Sequence, residues 1–224
     1  MTRTADLLKR LSKEGFTIPK QIKKAMLKVN LEDFTDYDVA PFFADRPVPY
    51  IETNSGNIKT ISAPHMIITL LHHLELSAGQ EIIVIGCKGG YLAALIATIV
   101  GEHGRVNVLD PSKEVVNYAK DRLLHWPTVE IRCLDNLDVA PIAFPGDFNR
   151  VIMTGQVETI PHWIKSRISD GGFIIAPIGS IDSQHLMKIE YQDDKELDTD
   201  LGHVCFGPID VDSAAKTHLH PTEL

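Results

Sequence analysis

The stretch Ile82-Ile83-Val84-Ile85-Gly86-Cys87-Lys88-Gly89-Gly90-Tyr91 passes from an apolar run, through clustered glycines, into a helical pattern. Glycines at such a strand-to-helix turn let the backbone bend sharply and let a ligand come close. The helix that follows presents the positive end of its dipole, which suits a carboxylate or phosphate. The next apolar run ends in Asp110, roughly 20 residues beyond the turn, where a carboxylate can accept hydrogen bonds from both hydroxyls of a ribose. Capping of the helix after Pro111-Ser112 is the alternative use of that side chain. Asp135, after the following strand, either reaches an adenine amino group or faces water. Together the glycine turn and Asp110 describe a nucleoside-containing ligand held at the carboxyl ends of parallel strands.

Other chemistries find less support. The ten histidines include the adjacent pair His72-His73, which face different directions on a helix, and His218 and His220 near the end of the chain. None makes a metal-ligand constellation, so no metal is expected. Cys87, Cys133 and Cys205 are far apart with no CxxC, which argues against zinc and against a disulfide framework. A formal net charge of -8 argues against a nucleic-acid backbone as the main partner. No apolar run approaches the length of a bilayer span, and MTRTADLLKR lacks the apolar stretch of a leader. A cytoplasmic protein with no membrane partner is expected. The sequence does not give an oligomeric state.

The elements that must position the turn are read from periodicity. Leu7, Leu8 and Leu11 share one helical face that Gly15 ends, and Ile22, Ala25, Met26 and Val29 recur at helical spacing. Residues 32–60 read as irregular and lid-like, with Pro41, Pro47 and Pro49 and the turn-like Asn54-Ser55-Gly56-Asn57. Ser62 stands where an N-cap would precede the stripe Ala63, Met66, Ile67, Leu70, Leu71 and Leu74. Strands and helices then alternate. Strands are expected at Glu81–Gly86, Arg105–Asp110, Val129–Leu134, Arg150–Thr154 and Phe173–Pro177, with helices at Tyr91–Val100, from Ser112 to Leu124 and around Pro161–Ile168. His185–Tyr191 and Gly202–Phe206 close the pattern as an antiparallel hairpin, with the acidic run Asp193–Asp200 as the turn between them. Near-continuous apolar strands separated by helices indicate an α/β fold with a mostly parallel sheet covered on both faces. Three stretches are expected: N-terminal helices and a lid-like segment over 1–60, the main domain over 61–212, and a polar tail over 213–224.

At this point the sequence resembles the protein-L-isoaspartate O-methyltransferases. Thr60-Ile61-Ser62-Ala63-Pro64 is similar to that family's T-I-S-Q-P, and Leu76-Ser77-Ala78-Gly79 follows a helix as it does there. The glycine loop that ends Gly90-Tyr91, running from Val84, stands where the family has E-I-G-T-G-S-G-Y. Asp147-Phe148-Asn149-Arg150-Val151-Ile152-Met153-Thr154 resembles F-D-R-I-I-V-T, Ile160-Pro161 its I-P, Gly171-Gly172 its G-G, and Pro177-Ile178-Gly179 its P-V-G. The resemblance runs over about residues 5–210 and implies a Rossmann-like class-I S-adenosylmethionine methyltransferase fold with a terminal antiparallel hairpin. It implies methyl transfer from S-adenosylmethionine to the carboxylate of L-isoaspartyl residues in damaged peptides or proteins. By the same resemblance Gly86, Cys87, Gly89, Gly90, Asp110 and Asp135 border the cofactor, and Ser62 is the active-site hydroxyl. Thr60, Ile61, Thr154, Pro177, Ile178 and Gly179 border the peptide.

The ligand turn departs from the family pattern. Val84 stands in place of the strand-end Glu and Lys88 in place of the middle Gly. The lead-in to T-I-S reads Asn57-Ile58-Lys59, the G-D-G reads Leu134-Asp135-Asn136, and the alanines after V-T are Gly155-Gln156. Lys88 either points to solvent or enters the pocket, where a cation repels a sulfonium. Two alternatives stay open beside protein repair: a binding protein of this fold without catalysis, and a methyltransferase for another acceptor.

Overall fold

A computed structural model describes residues 2–209, apart from 142, 143, 145 and 194. The expected polar tail lies outside these. Thr2 caps the first helix, its hydroxyl oxygen accepting from the Ala5 amide at 3.3 Å. That helix, α1 (Arg3–Lys13), and α2 (Lys20–Lys28) turn Leu7, Leu8, Leu11, Ile22, Ala25 and Met26 inward, as their spacing predicts.

Residues 32–60 are more regular than their proline content suggests. A 3-10 turn covers Leu31–Phe34 and a short helix, α3, covers Ala40–Phe43. Strands β1 (Val48–Glu52) and β2 (Ile58–Ile61) then pair antiparallel across the Asn54–Asn57 turn. This correction has a simple cause. Pro49 sits in a two-stranded ribbon, where every strand is an edge and a missing amide is tolerated. Helix α4 (Pro64–His73) follows, and its N-cap is Ala63, without a side-chain bond. Ser62 therefore does not cap it. Pro64 opens the first turn, where its missing amide would have had no partner anyway.

From β3 (Glu81–Ile85) the alternation holds: α5 (Tyr91–Val100), β4 (Arg105–Asp110), α6 (Lys113–Arg122), β5 (Val129–Cys133), β6 (Phe148–Met153), α7 (His162–Lys165). Ser112 caps α6, accepting from the Val115 amide. Three long strands end the fold: β7 (Ile168–Ser180), β8 (Ser183–Gln192) and β9 (Lys195–Val204). The acidic run expected as a turn is thus mostly the last strand, and the strand expected at Gly202–Phe206 lies earlier. Acidic side chains fit an outer strand, whose faces and edge meet water and whose charges discourage pairing with other chains.

The seven-stranded sheet has the order β5-β4-β3-β6-β7-β8-β9. Strands β3 to β6 and the β6–β7 pair are parallel, whereas β7–β8 and β8–β9 are antiparallel. One buried apolar cluster joins the N-terminal helices, α4, α5 and α6 to one face, and a second lies on the other face around Trp163, Phe144 and Ile164. The chain winds outward in opposite directions from β3 and β6, so a crevice opens between their carboxyl ends. Among the described residues no helix is long and apolar enough to cross a membrane.

Candidate functional site

The turn after β3 is held in left-handed backbone at Gly86 (φ 100°), Lys88 (45°), Gly89 (69°) and Gly90 (92°). Each glycine has its own reason. A Cβ on Gly86 would run into the Thr154 hydroxyl, which donates to the Gly86 carbonyl at 3.0 Å and is buried at the end of β6. A Cβ on Gly89 would lie 3.0 Å from the Tyr50 ring. One on Gly90 would lie 2.9 Å from Leu123. The first glycine faces the crevice, and the last two let β1 and α6 close onto the turn. Lys88 adopts a conformation that costs a side chain roughly 1–2 kcal/mol.

Asp110 ends β4 and is 6% exposed. One carboxylate oxygen accepts from the Cys87 amide at 2.8 Å, the other from the Ser112 amide at 2.9 Å. Burial raises its pKa, opposed by those two amides and by Lys59 and Lys88. The carboxylate thus ties the glycine turn to the start of α6. Each oxygen has a second lone pair, enough to receive the two hydroxyls of a ribose. The neighbouring Cys87 thiol is fully buried, and burial pushes its pKa well up, with Asp110 adding to the effect.

Between these groups lies a cleft of about 330 Å³. Gly86, Asp110 and Thr154 form its sheet side, Tyr50 and the Asn57–Thr60 stretch the hairpin side, and Gly207–Ile209 the remaining wall. Gln156 fastens that last wall to the sheet: its amide donates to the Gly207 carbonyl at 3.0 Å and its side chain to the Gly179 carbonyl at 2.6 Å. Lys59 and Lys88 both line the cleft. The Lys88 ammonium lies 5.5 Å from the Phe206 ring centroid. Burial, then the neighbouring Lys59, pulls its pKa down to about 8, with Asp110 opposing. Lys88 and Thr154 also border a small void behind the cleft, shared with Ile61, Ser62, Ile67 and Leu70.

The expected site residues separate accordingly. Gly86, Asp110, Thr60 and Thr154 meet at the cleft, and Ser62 and Ile61 stand at the adjoining void. Cys87 contributes its amide, while Gly89 and Gly90 serve packing. Asp135 is exposed just past β5 and is not part of the cleft wall. Pro177, Ile178 and Gly179 lie within β7. There the Val157 amide donates to the Pro177 carbonyl at 3.1 Å and the Gly179 amide to the Val157 carbonyl at 3.1 Å. Val84 is 1% exposed inside the apolar cluster. Its departure from the pattern changes the core, whereas that of Lys88 changes the cleft. Tyr50, Val115 and Ile209 were not foreseen as lining residues. Tyr50 shares the buried face of β1 with Val48, in a strand that the prolines around it conceal.

A cleft of mixed polar and apolar lining at the switch point, with a fixed carboxylate and a glycine floor, is suited to a nucleoside ligand. The comparisons with known proteins agree. The family described as protein-L-isoaspartate(D-aspartate) O-methyltransferase (PCMT) matches residues 2–213. A protein-L-isoaspartate O-methyltransferase of Pyrobaculum islandicum is 31% identical over 208 residues, covering 91% of this chain and 97% of that relative. One from Methanosarcina mazei is 29% identical over 180 residues, covering 79% and 71%. In fold, the chain is similar to a Plasmodium falciparum structure described as a protein-L-isoaspartate O-methyltransferase in complex with S-adenosyl-L-homocysteine. The TM-score is 0.80 and the identity 22%, with 94% of this chain and 99% of that one covered. The chain belongs to the protein-L-isoaspartate(D-aspartate) O-methyltransferase family.

Proposed function

We propose that the cleft takes S-adenosylmethionine and that the protein transfers its methyl group to the side-chain carboxylate of L-isoaspartyl residues in damaged proteins. The observation that carries this reading is Asp110, fixed by two backbone amides at the end of β4 beside the glycine floor of the cleft. Asp110 would hold the ribose, and Gly86 would let the ligand approach the backbone. When bound, the donor supplies an activated methyl group. A carboxylate is already a nucleophile at neutral pH, so the chain's tasks are proximity and in-line orientation.

Thr60, Ile61 and Ser62 would stand on the acceptor side, where the Ser62 hydroxyl would donate to the incoming carboxylate. Thr154 and the Pro177–Gly179 segment would hold the end of the sheet behind it. Asp135, exposed beyond β5, would meet the adenine end. The negative net charge supports a protein rather than a nucleic-acid acceptor. A cytoplasmic location belongs to the same proposal.

Calorimetric titration with S-adenosylmethionine and S-adenosylhomocysteine tests the first half, and methyl esterification of a synthetic isoaspartyl peptide tests the second. Saturable binding of both ligands with ester formation is expected. Binding without esterification would point to another acceptor. A folded sample that binds neither ligand would overturn the proposal and leave a binding protein of this fold.

A further inference from the structure

The cleft contains a group that works against the charge of the donor. Among the described residues, the ammoniums of Lys59 and Lys88 border it together with the Asp110 carboxylate, both of whose oxygens accept from backbone amides. Tyr50, the remaining titratable group in its wall among the described residues, is kept neutral because burial raises its pKa. Behind Asp110, the buried Cys87 thiol is neutral for the same reason. Lys88 projects from the turn at the floor of the cleft and lines both the cleft and the void beside Ser62. S-adenosylmethionine carries one more positive charge than its demethylated product, because its sulfur is a sulfonium.

We propose that Lys88 is a charge filter: its ammonium weakens binding of the sulfonium donor relative to the neutral thioether product, and the donor gains affinity as Lys88 loses its proton. This rests on the reading of the cleft as the donor site. Burial, and then the proximity of Lys59, place the titration of Lys88 near pH 8, so the filter changes state close to neutrality. Below that pH the ammonium is present and disfavours the donor. Above it the penalty fades. At an effective dielectric near 20, a unit charge anywhere within about 10 Å of the ammonium corresponds to about a ten-fold or larger change in affinity.

The test is calorimetry of both ligands with wild type, Lys88→Met and Lys88→Gly, at about pH 6.5 and about pH 9.5, either side of the lysine's shifted range. Lys88→Met keeps the bulk and removes the charge. Lys88→Gly removes both and relieves the left-handed backbone. The amino groups of the ligands titrate in the same range, and comparison with Lys88→Met removes that contribution. We expect the ratio of donor to product dissociation constants at the lower pH to be about ten-fold larger in wild type than in Lys88→Met, the two converging at the higher pH. Equal ratios in the two proteins at both values would overturn the filter. So would recovery of donor binding by Lys88→Gly but not by Lys88→Met, which would make bulk the cause. If all three proteins fold and none binds either ligand, the cleft reading fails, and the filter with it.

Discussion

Asp110 carries opposing demands. Burial raises its pKa although two amides and two lysines favour the charged form. A carboxyl whose folded value lies above its unfolded one costs stability that is absent below the unfolded value, grows as pH rises through the interval between them, and is fully present only above the folded value. Asp110→Asn removes the charge and the cost, while one amide loses a good acceptor, a loss of about 1–3 kcal/mol. The two changes offset. The melting temperature of Asp110→Asn is therefore expected within a few degrees of wild type. Affinity for S-adenosylhomocysteine should fall by about ten-fold or more, because hydrogen bonds to a charged acceptor are each worth about 1.5–3 kcal/mol. Unchanged affinity in calorimetry would remove Asp110 from the binding site. This residue was legible in the sequence, because its role follows from position at a strand end after a glycine turn. Lys88 was legible only as a choice between solvent and pocket, since the direction of a side chain on a left-handed turn depends on what packs around it.

At the scale of elements, the β1–β2 hairpin walls the cleft from a stretch that the sequence reads as irregular and lid-like. It lays the Tyr50 ring over Gly89 and brings Asn57, Lys59 and Thr60 to the cleft. Its far turn is tied to α6, where the Asn54 amide donates to the Glu114 carboxylate at 3.1 Å. The contact with Gly89 is close enough to test. Gly89→Ala introduces both an unfavourable backbone conformation at φ 69° and a Cβ 3.0 Å from the ring. A loss of about 1–3 kcal/mol of stability is expected. Hydrogen exchange of residues 48–61 should speed up more than that of the β3–β4 pair. Uniform acceleration would mean that the hairpin is not a separately anchored element. The hairpin was hidden because Pro41, Pro47 and Pro49 read as breakers, and two-stranded pairing depends on a partner strand that local pattern does not name.

At the scale of the whole molecule, the N-terminal helices share one apolar cluster with β3, α5 and α6. Leu7, Leu8, Leu11, Ile22 and Met26 are each at most 2% exposed. At roughly 1.5–3 kcal/mol per buried side chain, they contribute about 10 kcal/mol. That matches the whole net stability of an ordinary domain, about 5–15 kcal/mol. Deleting residues 1–30 should accordingly abolish cooperative thermal unfolding. A truncated chain that melts sharply near the wild-type temperature would show that the sheet stands without them. The sequence by itself determined the order of strands and helices from β3 to α7, the parallel sheet, the glycine turn and Asp110. Each of these follows from periodicity or from backbone constraints acting within a few residues. Tertiary structure decided the rest. It made an acidic run an edge strand, buried Val84 in the core, placed Lys88 and Lys59 in one cleft, and supplied a wall from residues 207–209. Those outcomes depend on contacts between segments far apart in the chain, whose energies local pattern does not contain.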